Sequence, residues 1–93
     1  MFNLFKETVT MHHLVSNQQN MLVTIDRDGY ELGHIDIDDH VLDNTWGNSI
    51  LIAMLLNYTA SIIGDGFKVA VPGELREATK IALRSNIHNI SIK

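Results

Sequence analysis

Cysteine is absent from the 93 residues and proline occurs once. Without a thiol the chain cannot build a disulfide scaffold, a thiolate zinc site or a cysteine nucleophile. Positive charge is scarce: seven Lys and Arg stand against eleven Asp and Glu, a net charge of -4 with histidines neutral. That balance disfavours a nucleic-acid or anionic-membrane binder driven by net charge. The opening MFNLFKETVTM lacks the charged segment, apolar run and small-residue cleavage site of a secretory leader, so the cytoplasm is the expected place of synthesis. No GxSxG elbow, GxGxxG fingerprint or GxxxxGK[ST] loop is present, so catalysis is not expected. What is present is 45% hydrophobic residues, enough for a single small soluble domain spanning residues 1–93.

Charge divides that domain. Residues 1–44 carry Lys6 and Arg27 against Glu7, Asp26, Asp28, Glu31, Asp36, Asp38, Asp39 and Asp43, a net charge of -6. The remainder is mildly basic. The expected fold is α+β: an acidic antiparallel β-meander over residues 1–41, then a helical hairpin and C-terminal tail over 42–93.

Residues 7–15 alternate threonine with valine and methionine and read as a strand, although Leu4, Thr8, Met11 and Val15 also sit at helical spacing. Residues 16–20, SNQQN, read as a connection. Residues 21–26, MLVTID, form a hairpin with residues 30–38 around Asp28-Gly29, a pair that tolerates positive φ. Leu32 falls on one face of that second strand and Ile35 and Ile37 on the other, which leaves the register open.

Asp43 or Thr45 can cap a helix over residues 46–63, which contains no charge and no proline. Its apolar residues lie on every side, so it is either sandwiched in a core or half buried against another chain. Trp46, Ile50, Leu51, Met54 and Leu55 are the candidate core or oligomer contacts. A membrane span is the competing explanation. Asn48, Ser49, Asn57, Thr59 and Ser61 dilute the run, and acids rather than lysines flank it, so no membrane is expected. Gly64-Asp65-Gly66 stops the helix, residues 67–71 form an extended apolar connection, and Pro72 suits the first turn of a second, amphipathic helix reaching about residue 89. On that helix Arg76, Lys80 and Arg84 recur every four residues as a basic, partner-facing stripe, extended by His88. Ile87, Ile90 and Ile92 make a candidate docking tail, in which alternation with polar residues suits addition to a partner's sheet edge. The competing reading packs Ile87 and Ile90 on the same chain.

His34, Asp36, Asp38 and His40 share one face of a strand and are the sharpest metal-ligand candidates. Alternate strand residues lie about 7 Å apart, too spread to converge on one ion without a bend, so a solvated, charge-guarded face is expected and no cofactor. His12-His13 point to opposite faces. Asp26-Arg27-Asp28-Gly29 has its glycine too early for a calcium loop and Ile37 where the bidentate glutamate belongs.

From Leu42 onward the chain resembles the C-terminal part of the head-to-tail adaptors, or packaged-DNA stabilisation proteins, of tailed bacteriophages. The likeness lies in an aromatic helix start (Trp46), a Leu-Leu-Asn-Tyr-Thr-Ala segment (Leu55 to Ala60), and a Gly-Phe corner leading to Val-Pro (Gly66 to Pro72). An alanine-rich second helix with a basic, asparagine-containing end completes it. It covers about half the chain; the acidic β region replaces the further helices usual in that family. The stretch Ile35-Asp36-Ile37-Asp38-Asp39 is similar to one that precedes the first long helix in some shorter phage connector proteins. The resemblance implies a structural virion protein that forms rings, commonly of twelve copies, beneath the portal, contacts portal and tail components and retains packaged DNA without sequence-specific contact. The residues alone leave two alternatives: a small cytoplasmic interaction or regulatory protein that dimerises through its apolar helix, and a His/Asp metal-dependent enzyme.

Overall fold

The threonine-valine alternation near the N-terminus becomes the central strand of a five-stranded sheet. The computed structural model describes residues 7–15, 20–38, 45–85 and 89–93. In chain order they form β1 (Glu7–Val15), β2 (Asn20–Arg27), β3 (Tyr30–Asp38), α1 (Thr45–Ile63), β4 (Phe67–Ala70), a 3-10 turn (Gly73–Leu75), α2 (Arg76–Arg84) and β5 (Ile90–Ile92). The sheet order is β3-β2-β1-β4-β5. β2 is antiparallel to β1 and β3, while β4 is parallel to both β1 and β5. The α+β class, with an N-terminal meander followed by two helices, is therefore the architecture of the chain.

Strand alternation decides where the core lies. Val9 and Met11 of β1, Val23 and Ile25 of β2, and Phe67 and Val69 of β4 all point to the face that the helices cover, and all are buried. Ile52, Leu55, Leu56 and Ala60 of α1, Leu75 of the turn, and Ala78 and Ala82 of α2 close that core from above. Two buried hydroxyls are satisfied by the carbonyl four residues back: Thr59 Oγ1 donates to the Leu55 carbonyl at 2.9 Å and Thr79 Oγ1 to the Leu75 carbonyl of the preceding turn at 2.7 Å. An unpaired hydroxyl there would cost about 1–3 kcal/mol.

The β2-β3 hairpin turns on Asp28-Gly29, with φ of 53° and 86°, the backbone of a two-residue type I′ turn. Its open register is resolved by a bulge. Asp26 pairs with Glu31 but Ile25 pairs with Gly33, so Leu32 is the extra residue. The bulge lets Leu32 and Ile35 both pack on the core although they stand on opposite faces of a regular strand.

Three expectations are corrected. Residues 67–71 are not a plain connection, because Phe67 and Val69 alternate with Lys68 and Ala70 and make β4, so a strand separates the two helices in sequence. The second helix ends at Arg84 rather than near residue 89; the Ser85 amide bonds back to the Ala82 carbonyl at 3.2 Å, and Ile90 and Ile92 take up the two-residue period of a strand. Pro72 precedes the helix by a 3-10 turn, where its carbonyl accepts from the Leu75 amide at 3.0 Å. Residues 16–19, Asp39, His40, Asp43 and residues 86–88, which include Ile87 and His88, lie outside the described residues.

Candidate interaction surface

α1 is apolar on both its buried and its exposed side. Its buried side includes Asn48, Ser49 and Thr59 beside Ile52, Leu55, Leu56 and Ala60. Its exposed side carries Trp46, Ile50, Met54, Tyr58 and Ile62, each between 48% and 62% exposed. These five recur every fourth residue and form a continuous ridge of the kind that packs into the groove of another helix. Large apolar side chains exposed in one contiguous row, unlike single exposed ones, point to an interaction site on a soluble protein.

The sequence-derived contacts therefore split. Leu55 is buried in the domain and Leu51 is half-buried against the core. Trp46, Ile50 and Met54 are not core residues; they lie on the exposed side of the helix because the positions that face the core are taken by Asn48, Ser49, Ile52, Leu55 and Leu56. Tyr58 and Ile62 extend the same ridge and were missed, although the four-residue recurrence from Trp46 is legible in the sequence. α1 is also long and apolar enough to cross a membrane, with a mean hydropathy of 1.3; in this fold one side of it forms the core of the domain.

The ridge meets the sheet at β3. Gly33 stands where a methyl group would lie 2.8 Å from the Tyr58 ring and 3.3 Å from Leu55 Cδ1, so glycine allows the aromatic ring to settle on the strand. Beside it runs an apolar groove of about 300 Å³ lined by His34, Ile35, Met54, Leu55 and Tyr58.

A second groove, of about 330 Å³, lies at the opposite end of the sheet, lined by Lys80, Leu83, Arg84 and the β5 residues Ile90, Ser91 and Ile92. Arg76, Lys80 and Arg84 are all exposed along α2. Ile90 and Ile92 do not form a free tail. They pair in parallel with Phe67 and Val69 of β4, Ile90 packs on the core, and the Lys93 amide donates to the Val69 carbonyl at 2.9 Å. The two-residue period that suited a partner's sheet edge is satisfied first by the chain's own sheet.

The charged groups form local pairs. His12 meets Asp26 on the face of the sheet away from the helices. His13, on the helix side, hydrogen-bonds through Nδ1 to the carboxylate of Glu74. That bond, together with one from the Glu74 backbone amide, holds the Glu74 carboxyl below its usual range. Arg27 donates to Glu7 at 2.8 Å, tying the start of β1 to the end of β2. Hydrogen bonding to Glu7, then its negative charge, raises the guanidinium above its ordinary value. His34 pairs with Glu31 at 3.1 Å rather than with Asp36. Among the described residues no three His, Asp or Glu side chains converge on a common point; the Asp38 side chain and His40 fall outside them. Comparison of the chain with protein-family models, with curated proteins and with solved structures finds no match.

Proposed function

We propose that this chain is a non-catalytic, self-assembling structural subunit, and that its setting is the ring-forming head-to-tail connector of a tailed-phage virion. In that role it docks beneath the portal, contacts tail components and helps retain packaged DNA, which passes without sequence-specific contact. One observation carries the reading: the exposed ridge Trp46, Ile50, Met54, Tyr58 and Ile62 on the longest helix. Water is a poor neighbour for five large apolar side chains in a row, and burial against another chain gains roughly 25 cal/mol per Å² of apolar surface removed from solvent. The separation of acidic β-meander from basic second helix supports the same reading, because complementary surfaces orient subunits in an assembly. The resemblance of Leu42 onward to the adaptor proteins supplies the virion setting.

The second reading is a two-fold dimer formed by α1 against α1, favoured by the four-residue spacing of the ridge, which is self-complementary at a crossing angle of about -50°. Light scattering coupled to size exclusion separates the two: a mass of many copies, imaged as rings alone or on portal, against a mass of two. A portal that neither binds the chain nor templates its assembly would contradict the connector setting.

A further inference from the structure

We infer that β3 takes up an extended segment of another protein, one in which basic and apolar residues alternate, as an added strand of the sheet. Self-assembly is not required for this, since a single copy presents the whole edge. β3 ends the sheet on one side, in the order β3-β2-β1-β4-β5, and is nine residues long. Alternate residues of an edge strand direct their N–H and C=O groups away from the sheet, where an added strand pairs with them. β5, at the other edge, has three residues and far fewer such groups.

The two faces of that edge set the chemistry of what it takes. Gly33 and Ile35 pair with Ile25 and Val23, whose side chains are in the core, so they belong to the helix side. Glu31, His34 and Asp36 pair with Asp26, Thr24 and Leu22 on the face away from the helices, and all three are exposed. On the helix side an added strand meets the groove of about 300 Å³ lined by Ile35, Met54, Leu55 and Tyr58 together with His34. Met54 and Tyr58 are more than half exposed there, so apolar side chains that enter the groove remove both partners from water. On the other face the alternate residues of the same strand stand beside Glu31 and Asp36 at the cross-strand distance of about 5 Å, where opposite charges attract and like charges repel. Charged residues often guard a sheet edge against pairing. Here the guard stands on one face only, because among the described residues no Asp, Glu, Lys or Arg lines the helix-side groove. Such an edge rejects acidic strands, including a second β3, and admits a strand with apolar residues inward and lysine or arginine outward. The net charge of -6 over residues 1–44 draws a basic segment towards it.

A labelled, end-blocked peptide of alternating lysine and valine is the probe, with its binding to the full chain read by fluorescence anisotropy. Saturable binding that weakens as salt is added is expected. An isomer with its lysines and valines in separate blocks should bind about tenfold less tightly, because it cannot send the two residue types to opposite faces. Methylating the backbone amides of alternate residues separates strand addition from loose attraction. One alternate series should abolish binding and the other preserve it, since only one set of amides faces β3. Glu31→Lys with Asp36→Lys should weaken the lysine peptide about tenfold and create binding of a glutamate-valine peptide, which also shows that the variant is folded. The inference is overturned if the wild-type chain shows no saturable binding, if the block isomer binds as tightly, if the two methylated series behave alike, or if the charge-reversed variant keeps the wild-type preference. Absence of peptide binding, with a wild-type mass above 10.5 kDa that falls to 10.5 kDa in the Glu31→Lys, Asp36→Lys variant, would instead assign the edge to a second copy.

Discussion

Gly33 and Tyr58 set how closely α1 approaches β3. A methyl group at position 33 would lie 2.8 Å from the Tyr58 ring, so Gly33→Ala is expected to lower stability by about 1–2 kcal/mol through overpacking. For a domain of this size that is a fall in Tm of roughly 4–8 °C per kcal/mol. The cost should shrink when Tyr58→Ala is combined with it, as a double-mutant cycle by thermal unfolding will read. Glu74 makes a different kind of residue-scale contribution. Its carboxyl is held low by the His13 ring and its own backbone amide, so the stability that it adds is complete above the ordinary carboxylate range near about 4.3 and is lost as pH falls through the lower, folded-state value. Glu74→Gln should accordingly flatten the acid side of a Tm-against-pH profile.

At the scale of elements, α1 shows what a pattern can and cannot say. Its extent is plain from the sequence, since an uncharged run that follows two candidate caps, Asp43 and Thr45, and ends at a glycine turn has few other readings. Which side is buried is not, because apolar residues occur all round and the choice falls to the sheet beneath. The side carrying Asn48, Ser49 and Thr59 is buried, and that against Trp46 and Met54 reverses what side-chain polarity alone would rank. β4 and β5 were read as connection and tail because four and three residues carry too little alternation to separate a strand from an extended link; their pairing depends on β1, far away in sequence. The bulge at Leu32 was visible as a conflict of faces, and only the neighbouring strand settles it. The residues that carry the adaptor likeness are themselves largely packing residues: Leu55, Leu56, Thr59, Ala60, Phe67 and Ala78 are all buried. Trp46 and Tyr58, which belong to the same segments, stand instead on the exposed ridge.

Two expectations follow at this scale. Leu55→Asp forces an unpaired charge into the core and should cost about 3 kcal/mol or more, whereas Met54→Asp, one residue away on the exposed side, should stay within about 0.5 kcal/mol in dilute solution; denaturant unfolding of both variants checks this. A chain ending at Asn86 loses β5 and the Ile90 contact with the core, so its midpoint should fall by several degrees, in proportion to a loss of about 1–3 kcal/mol. A midpoint equal to that of the full chain would show that β5 adds nothing to the fold.

For the whole molecule, the apolar residues divide into those that fold one copy and those left over. The first set closes a core between one sheet face and two helices. The second is concentrated on the outer side of α1 and in grooves at the two sheet edges, with acidic groups at one end and basic groups at the other. The most direct measurement is the light-scattering mass of the wild-type chain beside a Met54→Glu, Tyr58→Glu variant, over a range of concentrations and with unfolding of both recorded. A multiple of 10.5 kDa is expected for the wild type and 10.5 kDa for the variant, which should remain folded. A wild-type chain that stays at 10.5 kDa at every concentration, or a folded variant that assembles as well as the wild type, would contradict the claim that this ridge is an assembly surface.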